Sequence, residues 1–129
     1  MAWVELVTIL ALLQFVFFGA MVGRARGKYG IRAPAVSGNE MFERYYRVQM
    51  NTLEQLALFL PALWLGAQHM DTQWAAALGA VFLVGRALYF RGYIADPAKR
   101  ELGFSLTIVP STILLVAALV GVARDLLGR

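Results

Sequence analysis

Residues 3–23 of the chain read WVELVTILALLQFVFFGAMVG, an almost unbroken apolar run. A helix of about 20 such residues spans the roughly 30 Å hydrocarbon core of a bilayer. Because lipid offers no partner for an unpaired backbone amide, a segment that crosses the core must be helical. The run therefore predicts a membrane-spanning helix. Its acidic leader and the basic residues after it favour a retained anchor over a cleaved signal peptide.

Three further stretches approach the same length, at about residues 41–68, 74–93 and 102–123. The composition agrees with this pattern: of 129 residues, 60% are apolar and 16% are charged, whereas soluble domains average about 45–50% and about 25%. No internal repeat or second domain interrupts the sequence. We therefore predict an all-α integral membrane protein, a bundle of four transmembrane helices forming a single domain over residues 1–129.

Lysine and arginine are unevenly distributed among the connections between these spans. The connections after the first and third spans carry the basic residues Arg24, Arg26, Lys28, Arg32, Arg91, Lys99 and Arg100. The connection at residues 69–73 carries neither lysine nor arginine. Because basic loops remain in the cytoplasm, we expect both basic connections there and both termini on the opposite side.

The chain lacks the residues for several kinds of chemistry. It has no cysteine and one histidine, His69, which excludes disulfides, thiolate or histidine-cluster metal sites, and catalytic Ser-His-Asp or Cys-His arrangements. The net charge is +4. In so apolar a chain, that charge favours an anionic membrane surface or an anionic ligand as partner over nucleic acid.

A polar stripe runs along the second predicted helix. Arg47, Asn51 and Glu54 recur at intervals of four and three, so they share one helix face. A charge near the bilayer centre costs about 2.5–3.5 kcal/mol, so these side chains must face the bundle interior or a wet cavity. The charged residues nearer the loop are explained by ion pairs at the membrane surface, Glu40–Arg44 and Glu43–Arg47. Those pairs leave Asn51 and Glu54 unexplained, and a ligand site is the favoured interpretation for them.

The third predicted helix carries a second polar set. Arg86, Tyr89 and Tyr93 also share a face, and an arginine with two phenols suits an anion site. Three alternatives remain. Arg86 could extend its side chain to the membrane surface, Tyr93 could be an interfacial aromatic residue, and Arg100 could be an ordinary basic residue of the loop. The polar set contains several arginines and a single acid well inside the predicted spans, Glu54. This balance fits a ligand with two or more carboxylates and one ammonium group. Glutathione meets this charge count, which alone does not identify it.

Two motifs carry a resemblance to a known family. Residues 42–54, FERYYRVQMNTLE, resemble the FER-x-x-R-x-Q-x-N-x-x-E signature of the MAPEG family, the membrane-associated proteins of eicosanoid and glutathione metabolism. Residues 85–93, GRALYFRGY, resemble the R-x-x-Y-F-x-G-Y segment of its leukotriene C4 synthase and microsomal glutathione transferase 2 branch. The likeness extends over essentially the whole chain.

The resemblance implies a homotrimer of four-helix protomers that bind glutathione between subunits near the cytoplasmic face. The positions that match tripeptide-binding residues of the family are Arg47, Asn51, Glu54, Arg86, Tyr89 and Tyr93. Arg26 and Gln49 match residues that reach the ligand from the neighbouring protomer. Arg100 matches the arginine that stabilises the thiolate, and Tyr93 or Tyr89 could assist it. The implied activity is glutathione transfer to a lipophilic electrophile, with peroxidase activity on lipid hydroperoxides and a role in detoxification.

Two positions depart from the family pattern. Gly27 follows Arg26 where the synthase has a second arginine, which removes a candidate acid toward an epoxide. Gln55 stands where a tyrosine commonly follows the motif glutamate. Transferase activity is therefore expected and leukotriene synthesis is not. A non-catalytic lipid-binding or regulatory scaffold, a glutathione-dependent isomerase and a small four-span exporter remain as alternatives.

Overall fold

The computed structural model describes residues 1–128, which form four long α-helices and no strand. The helices are α1 (Ala2–Tyr29), α2 (Glu40–Ala67), α3 (Thr72–Ala95) and α4 (Glu101–Leu126), with a 3₁₀ turn at Pro97–Arg100 before α4. This confirms the predicted all-α bundle, and each predicted span lies within one helix apart from Gln68, the C-cap of α2. The largest difference is at α1, which continues through the basic residues to Gly30, where a left-handed φ of 69° ends it.

Polar caps fix where α2, α3 and the 3₁₀ turn begin. The side chains of Asn39 and Asp71 accept hydrogen bonds from the backbone N–H groups of Phe42 (3.0 Å) and Gln73 (2.8 Å) at the starts of α2 and α3. Asp96 accepts one from Ala98 (3.1 Å) and so begins the turn that leads into α4. Each cap satisfies a backbone donor that the first helical turn leaves free.

Three of the helices are long and apolar enough to cross a membrane: α1, α3 and the segment Pro97–Leu126. α2 has the length, at 28 residues, but its first half carries the polar stripe. An apolar second half follows, in which Phe59 and Leu63 are fully buried.

The core lies along the centre of the bundle and draws on all four helices. Val4, Leu63 and Leu114 are fully buried there, and the rings of Phe59 and Phe82 stack with centroids 3.7 Å apart. Two glycines set the contact between α3 and α4, because a Cβ at Gly85 or Gly103 would collide with the backbone of Leu106 or Tyr89, respectively. This close approach brings the start of α4 against the last turns of α3.

The two ends of the bundle differ in composition. Cross-helix hydrogen bonds from Trp64 of α2 to Thr8 of α1 (3.0 Å) and from Arg44 of α2 to the carbonyl of Ile94 in α3 (2.9 Å) show that neighbouring helices are antiparallel. Trp3, Trp64 and Trp74 therefore share one end. The two predicted basic connections share the other end.

Candidate functional site

A cavity of about 460 Å³ opens between α2, α3 and the start of α4, at the basic end of the bundle. It is lined by Arg47, Asn51, Tyr89, Tyr93, Arg100, Glu101 and Phe104. Every lining residue except Glu101 and Phe104 belongs to the set predicted from the sequence. The volume falls in the range of small-molecule sites, about 300–1,000 Å³.

The polar stripe of α2 borders this cavity. A guanidinium nitrogen of Arg47 lies 3.3 Å from a carboxylate oxygen of Glu54, and the two side chains are 48% and 56% exposed. Both charged groups are thus accessible to a ligand in a monomer, and they remain at the edge of the bundle away from its apolar core.

The ion pairs near the loop are only partly as predicted. Glu40 and Arg44 form the expected pair at 2.7 Å. The expected Glu43–Arg47 pair is wrong, because the Glu43 carboxylate accepts a hydrogen bond from the backbone N–H of Gly38 at 3.1 Å while Arg47 turns along the helix toward Glu54. The backbone N–H of Gly38 in the loop thus binds Glu43 in place of Arg47. The spacing of residues along a helix does not predict such a contact with the loop.

Asn51 lines the cavity and carries an unsatisfied acceptor. The residue is buried, and its Oδ1 atom has no hydrogen-bond partner among the described residues. A buried polar atom without a partner costs roughly 1–3 kcal/mol. A turn of the side chain that brought Oδ1 to a ligand N–H in the cavity would remove that cost, which suits a ligand with an amide or ammonium group.

The two tyrosines form a second wall. Their rings stack with centroids 5.5 Å apart, and the guanidinium of Arg86 lies 4.3 Å from the ring centroid of Tyr89. Arg86 itself is fully buried and does not line the cavity. Its nitrogens donate to the hydroxyls of Thr52 (2.7 Å) and Thr107 (3.3 Å). The structure therefore places this predicted ligand residue behind Tyr89, where it supports the wall.

Arg100 lies where the 3₁₀ turn meets α4. Its side chain is exposed and donates to the carbonyl oxygen of Pro97 at 3.0 Å, which leaves further N–H groups free to face the cavity. Glu101 and Phe104 follow on α4 and complete the wall. Neither residue was predicted from the sequence, although Glu101 adjoins Arg100 and Phe104 follows Glu101 by three residues, which places both on one face of α4.

Arg26 and Gln49 are not brought to this cavity. The guanidinium of Arg26 donates to the carbonyl of Ala35 at 2.7 Å and lies 5.0 Å from the ring centroid of Phe42. The amide of Gln49 lies against Gly19 of α1. Both residues therefore belong to the α1–α2 side of the protomer.

The cavity is equipped to bind a small anion with additional polar groups. Two guanidinium groups can hold carboxylates and two phenols can donate hydrogen bonds, while an ammonium group can pair with Glu101 in the lining or with Glu54 beside Arg47. Across residues 1–128, no group of three or more His, Asp or Glu side chains is placed to hold a metal ion.

The fold and the site define an integral membrane protein of four helices with a polar, cationic cavity at one end of the bundle. The chain belongs to the MAPEG family, which it matches over residues 4–120. It is 52% identical to the uncharacterized protein sll1147 of Synechocystis sp. over 96% of this chain and 90% of that protein. It is also 37% identical to human microsomal glutathione S-transferase 2, over 95% of this chain and 84% of the relative. With leukotriene C4 synthase of Cavia porcellus it shares 37% identity over 73% of this chain and 63% of that protein.

Proposed function

We propose that the protein is a membrane-bound glutathione transferase that joins the glutathione thiolate to lipophilic electrophiles. The observation that carries this proposal is the cavity between α2, α3 and α4, which gathers Arg47 and Arg100 beside Glu54. The two arginines complement the two carboxylates of a tripeptide and Glu54 its ammonium group, while a second acid, Glu101, also lines the cavity. The similarity to a microsomal glutathione S-transferase supports the same ligand.

The wall residues would divide the binding of the tripeptide among them. Arg47 would hold a carboxylate, and Glu54 would take the ammonium group and so exchange part of its pairing with Arg47. Asn51 would turn to accept an N–H from the ligand at Oδ1, which satisfies a buried atom that has no partner among the described residues. Tyr89 would donate from its hydroxyl, with Arg86 behind its ring.

The chemical step requires an ionised thiol. A free thiol has a pKa of about 8.5, so little of it is thiolate at neutral pH. A guanidinium within about 4–6 Å favours the charged form, and arginine suits this role because it stays protonated. We assign this role to Arg100, with a hydrogen bond from Tyr93 to the sulfur as a second contribution.

The electrophile would reach the cavity from the bilayer, because an apolar compound concentrates there. Attack by the thiolate forms a carbon–sulfur bond and expels the leaving group. With a lipid hydroperoxide, the same thiolate would initiate reduction to the alcohol and water while two glutathione molecules become the disulfide. Both activities need the same binding residues, so peroxidase activity is part of the proposal.

The assembly and its orientation are also proposals. We propose a homotrimer in which Arg26 and Gln49, which lie outside their own protomer's cavity, reach the ligand of a neighbour. We further propose that α2 is a fourth membrane span and that both basic connections, and with them the cavity, face the cytoplasm. The asymmetry of lysine and arginine between the connections supports this orientation.

The test of this function is the variant Arg100→Ala, purified in detergent. Without the guanidinium the bound thiol loses its electrostatic stabilisation, so we expect conjugation of 1-chloro-2,4-dinitrobenzene near neutral pH to fall about tenfold or more. Glutathione binding, measured by calorimetry, should remain. Arg124→Ala is the matched control, since Arg124 is an exposed arginine of α4 far along the helix from the cavity.

Three outcomes would contradict the proposal in distinct ways. Unchanged turnover in Arg100→Ala removes this residue from the mechanism. A wild-type protein that binds lipids but shows no turnover of glutathione with any electrophile or hydroperoxide is a non-catalytic scaffold. A lipid substrate that rearranges without consumption of glutathione identifies an isomerase.

A further inference from the structure

A second cleft of about 300 Å³ lies between α3 and the start of α4, on a different face of α3 from Tyr89 and Tyr93. Its lining includes Leu88, Arg91 and Ala95 of α3, and Lys99 and Leu102 beyond the helix end. It shares no lining residue with the glutathione cavity. The proposed transferase chemistry therefore makes no use of this cleft.

The charged residues of this cleft are both cations. No hydrogen bond or ion pair engages the side chain of Arg91 or Lys99 within the structure of residues 1–128, and the lining includes no acid. Gly92 helps to form the cleft, because a Cβ there would lie 2.6 Å from the carbonyl oxygen of Lys99. Because glycine has no side chain at this position, the 3₁₀ turn can pack closely against α3. This packing brings Lys99 to the same cleft as Arg91.

Apolar surface continues from these cations along the outside of the bundle. Leu88 and Leu102 border the cleft and are 37% and 63% exposed. Val84 lies one helical turn before Leu88 on the same row of α3 and is also exposed. The arrangement thus places two unpaired cations at the polar end of the bundle and an apolar track beside them, running toward the bilayer core.

We propose that this cleft binds one anionic phospholipid, with its phosphate between Arg91 and Lys99 and an acyl chain along Leu88 and Leu102. Basic pockets between transmembrane helices near the cytoplasmic surface suit anionic headgroups, and each basic residue adds to the attraction. The small headgroup of phosphatidylglycerol fits the charge of the site, whereas a zwitterionic headgroup would bring its own cation toward Arg91 and Lys99.

The test uses the full chain in detergent, supplemented with equal amounts of phosphatidylglycerol and phosphatidylcholine and examined by native mass spectrometry. We expect the wild-type protein to retain phosphatidylglycerol in preference to phosphatidylcholine. In the double variant Arg91→Gln/Lys99→Gln, the ratio of bound phosphatidylglycerol to bound phosphatidylcholine should fall about tenfold, because two cations are removed from one site. The double variant Arg91→Lys/Lys99→Arg keeps both charges and should retain it.

The matched control is Arg24→Gln/Lys28→Gln. It removes the same charge from the other basic connection, where the cleft is only about 90 Å³, and it should keep the lipid preference. An equal loss in this control, or an unchanged preference in Arg91→Gln/Lys99→Gln, overturns the proposal. Elution from gel filtration checks that each variant is folded. Because the lipid readout involves no glutathione, its failure is distinguishable from failure of the transferase proposal.

Discussion

Arg86 is a fully buried cation held by hydroxyl groups instead of carboxylates. The hydroxyls of Thr52 and Thr107 each donate their own proton to a backbone carbonyl one turn earlier in the helix, that of Val48 (2.7 Å) and Gly103 (2.8 Å), respectively. Their lone pairs are therefore free to accept from the guanidinium. A buried charge without such partners would be strongly unfavourable, so the threonines make the support behind Tyr89 possible.

Thr52→Val tests this arrangement with a side chain of nearly the same shape. The change removes the acceptor 2.7 Å from Arg86 and leaves a buried, charged donor without that partner, so we expect a loss of about 1–3 kcal/mol in unfolding free energy. Thermal unfolding in detergent measures it. Thr112→Val is the control, because Thr112 is exposed and its hydroxyl bonds only to the backbone of its own helix. Equal stability of the two variants would show that Thr52 is not needed to hold Arg86.

At the scale of the element, α2 combines two functions in one helix. Arg47 and Asn51 of its first half line the cavity, with Glu54 paired to Arg47, and its second half buries Phe59 and Leu63 in the core. The polar face makes α2 less apolar than the other three helices. It nevertheless has 28 residues, which at about 1.5 Å per residue exceeds the thickness of the hydrocarbon core.

The prediction for α2 is that it crosses the membrane. Because the chain has no cysteine, single cysteines can be placed at exposed positions before α2, after α2 and between α3 and α4, with Ser37→Cys, Gln68→Cys and Ala98→Cys. In sealed vesicles we expect a membrane-impermeant maleimide to label Ser37→Cys and Ala98→Cys from the cytoplasmic side and Gln68→Cys from the opposite side. Labelling of Ser37→Cys and Gln68→Cys from the same side would mean that α2 does not cross.

The elements were predictable from sequence to different degrees. The lengths of the apolar runs predict all four helices, but the end of α1 differs because a helix continues past the bilayer until a residue such as Gly30 terminates it. Spacing of three and four places Arg47 and Asn51 on one face. It does not predict the partners of Arg86, which lie on α2 and α4, nor that Glu101 completes the wall. Both depend on how the helices pack on one another, and for α3 and α4 the close contacts at Gly85 and Gly103 determine this.

At the scale of the whole molecule, the bundle is asymmetric. One end carries Trp3, Trp64 and Trp74, residues that favour a membrane–water interface, and the other end carries the basic connections and the cavity. The net charge of +4 thus understates the cationic character of the end that holds the cavity. Under the proposed function, an anionic ligand approaching from solution is attracted to that end, and an apolar co-substrate reaches the same end through the lipid.

The most direct test of the account is calorimetric titration of the detergent-purified protein with glutathione. We predict saturable binding to the wild-type chain and about tenfold weaker binding to Glu54→Gln, because the ligand ammonium would lose its carboxylate partner. Glu5→Gln, an exposed change at the opposite end of the bundle, should bind as the wild type does. No binding to the wild-type protein, or equal affinity in Glu54→Gln, would contradict the assignment of this cavity to glutathione.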